Sequence, residues 1–89
     1  MFTVRYYEKL LDEIVRLLKQ DRERRKLSNY AVSQRSGVSE SMLGRIERGH
    51  SNPSLETTLR IADGIGADLP AIIKKARAMV LRETGRGGR

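Results

Sequence analysis

Apolar residues recur through the first quarter of the chain at spacings of three and four. Leu10, Leu11, Ile14, Leu17 and Leu18 fall on one stripe, flanked by Tyr6, Tyr7 and Val15, which is the period of an amphipathic helix. No glycine or proline interrupts this stretch, so the pattern predicts one long helix over about 3–25. Its end, Arg22-Glu23-Arg24-Arg25-Lys26, gathers cations where the helix dipole favours them. Ser28 is a suitable N-cap for a second helix over 29–36, with Val32 facing inward and Ser33 beside it. Gly37 ends that helix and is expected to take positive φ, which glycine adopts without steric cost. Ser39 caps a third helix over 40–48, with Leu43 and Ile46 as core residues and Gly49 as its stop. His50-Ser51-Asn52-Pro53 reads as a loop, because Pro53 disfavours helix at Asn52.

Ser54 caps a fourth helix over 55–65, whose expected inner face is Leu55, Leu59, Ala62 and Ile65, with Ile61 adjacent. Asp68 caps a fifth over 69–82, with Pro70 harmless in the first turn and Leu69, Ile72, Ile73, Ala76 and Val80 as its apolar stripe. Residues 83–89 hold too little apolar content to pack and are expected to form a flexible basic tail. Nothing alternates with a period of two, so no strand is assigned. The pattern predicts an all-α fold, a five-helix bundle with an extended N-terminal helix.

The chain has 89 residues, which fits one small domain over 1–82 followed by the tail. It has no cysteine, which excludes disulfides and thiolate metal sites. The N-terminus lacks the apolar run of a signal peptide. Apolar runs stay at a few residues, against the roughly 20 that a membrane span needs. The expectation is a soluble, cytoplasmic protein, bacterial or phage-encoded and associated with the nucleoid. A formal net charge of +7 adds a partner to the picture. So basic a domain meets a polyanion, and nucleic acid is the default. A membrane surface fits less well, because the polar face of the first helix carries acids as well as bases.

No catalytic constellation is visible, so an enzyme is not expected. His50 is the one histidine, in a loop, with no cysteine to share a metal. A nucleophile–base pair would have to join His50 to one of the capping serines, and each of those is accounted for as a helix cap. No metal and no cofactor are expected. His50 reads equally as a solvated loop residue or as a phosphate contact. The segment Gly85-Arg86-Gly87-Gly88-Arg89 resembles an RNA-binding arginine–glycine element, but a single copy favours the plain tail.

The stretch from Leu27 to Ile72 is more specific. Two short amphipathic helices meet at Gly37 with almost no room between them, which is how a helix-turn-helix is written. Close approach demands a small inner residue on the first helix, and Ser33 fits. The second helix anchors itself from behind through Leu43 and Ile46. That leaves Glu40, Ser41, Gly44, Arg45 and Arg48 outward, short or hydrogen-bonding as a helix entering a DNA groove requires.

From Leu27 to about Ile73 the chain resembles the helix-turn-helix domain of phage repressor and Cro-like regulators, the lambda-repressor-like family. Gly37-Val38-Ser39, Ile46-Glu47-Arg48-Gly49, Asn52-Pro53-Ser54-Leu55 and Leu59-Arg60-Ile61-Ala62 fall in that family's order and spacing. The resemblance implies that Arg22 pairs with Glu47 and ties the first helix to the recognition helix. It implies that Glu40, Ser41 and Arg45, with Gly44 among them, read bases. Arg45 would pair with a guanine and Glu40 would accept from a cytosine amino group. It places Ser28, Asn29, Ser39, Arg48, His50 and Asn52 on phosphates, although Asn29 is shorter than the glutamine usual at its position.

Three departures stand out. Ser33 replaces the commonest alanine. Gly44 lies inside the recognition helix at a cost of about 1 kcal/mol, and either lets that helix lie close to DNA or is neutral. The first helix exceeds the family minimum by about two turns. Its extra residues, Phe2, Tyr6, Tyr7, Leu10 and Leu11, either pack against the fifth helix or contact a second subunit. The resemblance implies a sequence-specific double-stranded DNA-binding regulator, foremost a repressor on a palindromic operator, bound as a homodimer. Two related roles use the same domain: the antitoxin of a toxin–antitoxin pair, which also binds a toxin, and a restriction–modification controller.

Overall fold

The computed structural model describes residues 4–87. They form five helices: α1 (Val4–Arg24), α2 (Asn29–Ser36), α3 (Glu40–Glu47), α4 (Leu55–Ile65) and α5 (Leu69–Gly87). No strand occurs among the described residues. Phe2 lies outside them.

Two hydrophobic clusters hold the molecule together. The first forms a head: Leu18 of α1 meets Val32, Val38, Leu43, Ile46, Ile61, Ala62, Ile65 and Leu69. The second forms an arm: Tyr6, Leu10 and Leu17 of α1 pack on Ala76 and Val80 of α5. Ile14 and Ile72 touch both clusters and join them. The molecule is accordingly long, about 45 × 22 × 18 Å. The additional length of α1 is therefore used within the chain, where it pairs with α5. At the outer end, Arg77 Nη1 donates to the Tyr6 hydroxyl at 3.5 Å, and the Tyr6 and Tyr7 rings meet edge to face at 5.0 Å.

The ends of the helices follow their caps. Ser28, Ser39 and Ser54 each accept from the backbone N–H three residues on, at 3.0–3.1 Å, which satisfies one orphan donor per helix. Gly37 has φ 76 and its N–H donates to Ser33 O at 3.0 Å. This left-handed residue lets α3 leave α2 at once. Helix α1 ends instead on Lys26, at φ 59, with Leu27 N donating to Arg22 O at 3.1 Å. That is the closure usually given to glycine.

Three expectations need correction. Leu55 and Leu59 do not face inward: they are 72% and 46% exposed. The buried face of α4 is Thr58, Ile61, Ala62, Gly64 and Ile65, so the helix is turned until the two leucines sit on the edge of its apolar stripe. Thr58 is tolerated inside because its hydroxyl donates to Ser54 O at 2.8 Å. The tight helix approach falls on Ser36, which is buried, while Ser33 is half-buried. A Cβ on Gly64 would meet Ser36 Cβ at 3.1 Å and Val32 O at 3.4 Å, so α2 and α4 touch through this serine–glycine pair. Finally, α5 does not stop at Arg82 but continues to Gly87. Arg82 and Glu83 favour helix, and one glycine at 85 costs about 1 kcal/mol, too little to end an established helix. Residues 88–89 of the expected tail lie outside the described residues.

Candidate nucleic-acid interface

Helix α3 is held from behind. Leu43 and Ile46 are 2% and 4% exposed, three residues apart on the face turned to the core. Their burial leaves Glu40, Ser41, Arg45 and Arg48 exposed on the opposite side, with Gly44 half-buried between them. Arg48 lies back across Gly44: a Cβ there would come within 3.0 Å of its Nη1. The missing side chain thus makes the seat on which this guanidinium rests. Met42 is half-buried, and the Ser51 hydroxyl donates to its sulfur at 3.6 Å, fastening the following loop to the helix. Sequence reasoning missed this contact.

The far end of α3 is clamped to α1. Arg22 donates from Nε to Glu47 Oε2 at 2.8 Å and from Nη2 to Glu47 Oε1 at 3.0 Å. Its third donor, Nη1, meets Leu27 O at 2.7 Å. Both side chains are mostly buried, at 13% and 16% exposed. A two-pronged guanidinium–carboxylate pair fixes direction as well as distance, so the orientation of α3 is set against the end of α1.

Asn29 joins this clamp. Its Nδ2 donates to Glu47 Oε1 at 3.4 Å and its Oδ1 is buried without a partner. The side chain expected on a phosphate is therefore turned inward, because the start of α2 abuts the Glu47 carboxylate and a short carboxamide reaches that first. The exposed group at this end of α2 is the neighbouring Tyr30, 60% exposed. Nothing in the periodicity marked it, since an aromatic at the first turn of a helix reads as core.

The remaining residues expected at phosphates are on the surface. Ser28, Ser39, Arg48, His50 and Asn52 are all exposed. The Ser28 and Ser39 oxygens accept from their own helices, which leaves each hydroxyl proton free to be donated outward. The cations divide into two groups. Arg16 pairs with Glu13, Arg24 and Arg25 with Asp21, and Arg60 with Glu56. The hydrogen bonds that Arg16 donates to Glu13, with the charge of that carboxylate, raise its guanidinium above its ordinary pKa. Among the described residues Arg45 and Arg48 have no such partner. This face of the molecule thus presents positive charge that the protein itself does not neutralise.

Among the described residues no three His, Asp or Glu side chains are grouped to hold a metal, and no helix is long and apolar enough to cross a membrane.

Comparison with known proteins agrees with this geometry. The family model described as helix-turn-helix matches residues 18–72, the head and the inner parts of α1 and α5. The HTH-type transcriptional regulator SutR of Escherichia coli (strain K12) is 39% identical over 56 residues, which cover 63% of this chain and 32% of the regulator. The matched segment thus spans about a third of that relative's length. No solved structure matches the chain significantly. With its capped helices, left-handed turn and clamped third helix inside the matched segment, the chain belongs to the Cro/C1-type helix-turn-helix family.

Proposed function

We propose that this chain is a sequence-specific double-stranded DNA-binding transcriptional regulator that acts as a repressor on a palindromic operator. Helix α3 enters the major groove. Arg45 pairs with a guanine edge, Glu40 accepts from a cytosine amino group, and Ser41 hydrogen-bonds beside them. Ser28, Ser39, Arg48, His50 and Asn52 hold the flanking phosphates and set the register. The observation that carries this reading is the two-sidedness of α3, apolar and buried behind, polar and unneutralised in front. Repression follows from occupancy, since a bound operator is closed to other proteins.

The operator is read by a homodimer. Leu55 and Leu59 lie one turn apart on the exposed edge of α4, directly after the loop that leaves α3. An apolar pair so close to the recognition helix suits a two-fold contact that holds two copies of α3 about one DNA turn, roughly 34 Å, apart. The protein acts on the nucleoid in the cytoplasm.

Selection from random duplexes, followed by sequencing at two salt concentrations, tests this reading. The expected outcome is a palindrome with half-sites about one helical turn apart, bound with an affinity that falls steeply as salt rises. Recovery of unselected sequence would reject it.

A further inference from the structure

Helix α1 lies along the loop that follows α3, and a cleft of about 400 Å³ opens between them. Val15, Arg16 and Lys19 line it from α1, and Arg48, Gly49 and Asn52 from the other side. We propose that Lys19, together with Arg48 and Asn52, seats one DNA backbone phosphate at the mouth of this cleft, so that α1 itself takes part in binding. The inference rests on the DNA-binding reading above and extends it to an element outside the helix-turn-helix.

Charge carries the argument. Arg16 and Arg22 are held by carboxylates within the protein. Lys19 lies between them on the same helix, and among the described residues no carboxylate stands within ion-pairing distance of it. Of the two carboxylates that line the cleft, Glu47 is held by Arg22 and Asn29. Asp12 also lines the cleft, but seven residues before Lys19, about 10 Å further along the helix axis. The mouth therefore keeps two uncompensated cations, Lys19 and Arg48, and the carboxamide of Asn52 as a donor. A polyanion is the partner such a pair suits.

Geometry adds two points. A Cβ on Gly49 would meet nothing within 4 Å, so the rim of the cleft is open at that residue. Lys19 also precedes Arg22 by one turn. The two-pronged bond of Arg22 to Glu47 fixes α1 against the end of α3, and so sets the part of α1 that carries Lys19 against the far side of the cleft. A lysine ammonium needs no directional match and serves as a point charge.

The test uses the full chain and its selected operator duplex, with affinity measured across a salt series. Lys19→Ala and Lys19→Gln are expected to reduce the slope of log K against log salt by about 0.9, the value of one lost phosphate contact. Both should weaken operator and unrelated DNA by the same factor and leave the melting temperature unchanged. Lys75→Ala is the control, since Lys75 lines a separate cleft between α1 and α5, and it should leave the slope unaltered. Replacing phosphates one at a time by neutral methylphosphonate should reveal one position that weakens the parent protein but not Lys19→Ala. An unchanged slope in the Lys19 variants, or an equal fall in Lys75→Ala, overturns the proposal while DNA binding itself stands. A parent protein without salt-dependent DNA binding overturns both.

Discussion

The head and the arm are built by different rules. In the head, three short helices, the end of α1 and the start of α5 converge on one cluster of nine buried residues. No two of these helices could bury that surface alone, and each joint needs its own device: a serine cap, a left-handed turn, a serine–glycine contact or an ion-pair clamp. The arm is two long helices lying side by side, with five buried residues and no special joints. Plain periodicity suffices there. The family match covers the head and stops where the arm begins to stand alone, as expected if the demanding geometry belongs to the function and the arm is particular to this chain.

The largest effect should come from the head. Leu43→Ala removes a side chain 2% exposed and pinned on α3, where cavity formation costs about 2–5 kcal/mol. The matching arm variant is Leu10→Ala, 8% exposed. It loses the same transfer term, but a two-helix contact collapses more readily, so its cost should fall at the low end of that range. Thermal melts of both variants check this, with helicity as the probe. Equal losses would mean that head and arm unfold as one unit through Ile14 and Ile72. Only Leu43→Ala should also abolish DNA binding.

Within the head, Gly37→Val should rank next. The residue holds φ 76, and a Cβ there would meet Arg60 Nη1 at 3.4 Å. A β-branched residue in the left-handed region costs of order 1–3 kcal/mol, and the flexible Arg60 adds little. A melting temperature equal to that of the parent would show that the turn can be made another way. Arg45→Ala separates the two faces of α3. It should leave the melt unaltered and cost about 1–3 kcal/mol in operator affinity at one base position. A uniform loss on all sequences would make Arg45 a phosphate contact instead.

How far the sequence revealed this depends on the kind of residue. The capping serines, Gly37 and the Leu43–Ile46 pair were legible because each is the local answer to a local demand. The reach of Arg22 to Glu47 came from family resemblance, since no pattern of period links residues 25 apart. The face of α4 was misread because Leu55 and Leu59 fit a helical stripe as well as Thr58 and Gly64 do not. Only the tertiary contact of Gly64 with Ser36 fixes the rotation. Asn29 was placed outward for a similar reason: a mostly buried carboxylate from a distant helix end decides which side chain turns in. The length of α5 escaped notice because weak helix formers suffice once a helix is running.

The smallest expected effect lies inside the head, at the link from α1 to α2, and it has the opposite sign. Lys26 closes α1 in the left-handed conformation, at φ 59, which costs an L-residue roughly 1–2 kcal/mol. Lys26→Gly relieves that strain but gives the unfolded chain more freedom, worth about 0.5–1 kcal/mol in the other direction. The net gain should be about 0.5 kcal/mol, read as a rise of a few degrees in melting temperature. The same variant removes a cation near the start of α2. If Lys26 also met a phosphate, stability would rise while the salt slope fell by about 0.9. A rise in stability with an unchanged slope would make Lys26 a purely structural link from α1 to α2, at a cost that glycine would have spared.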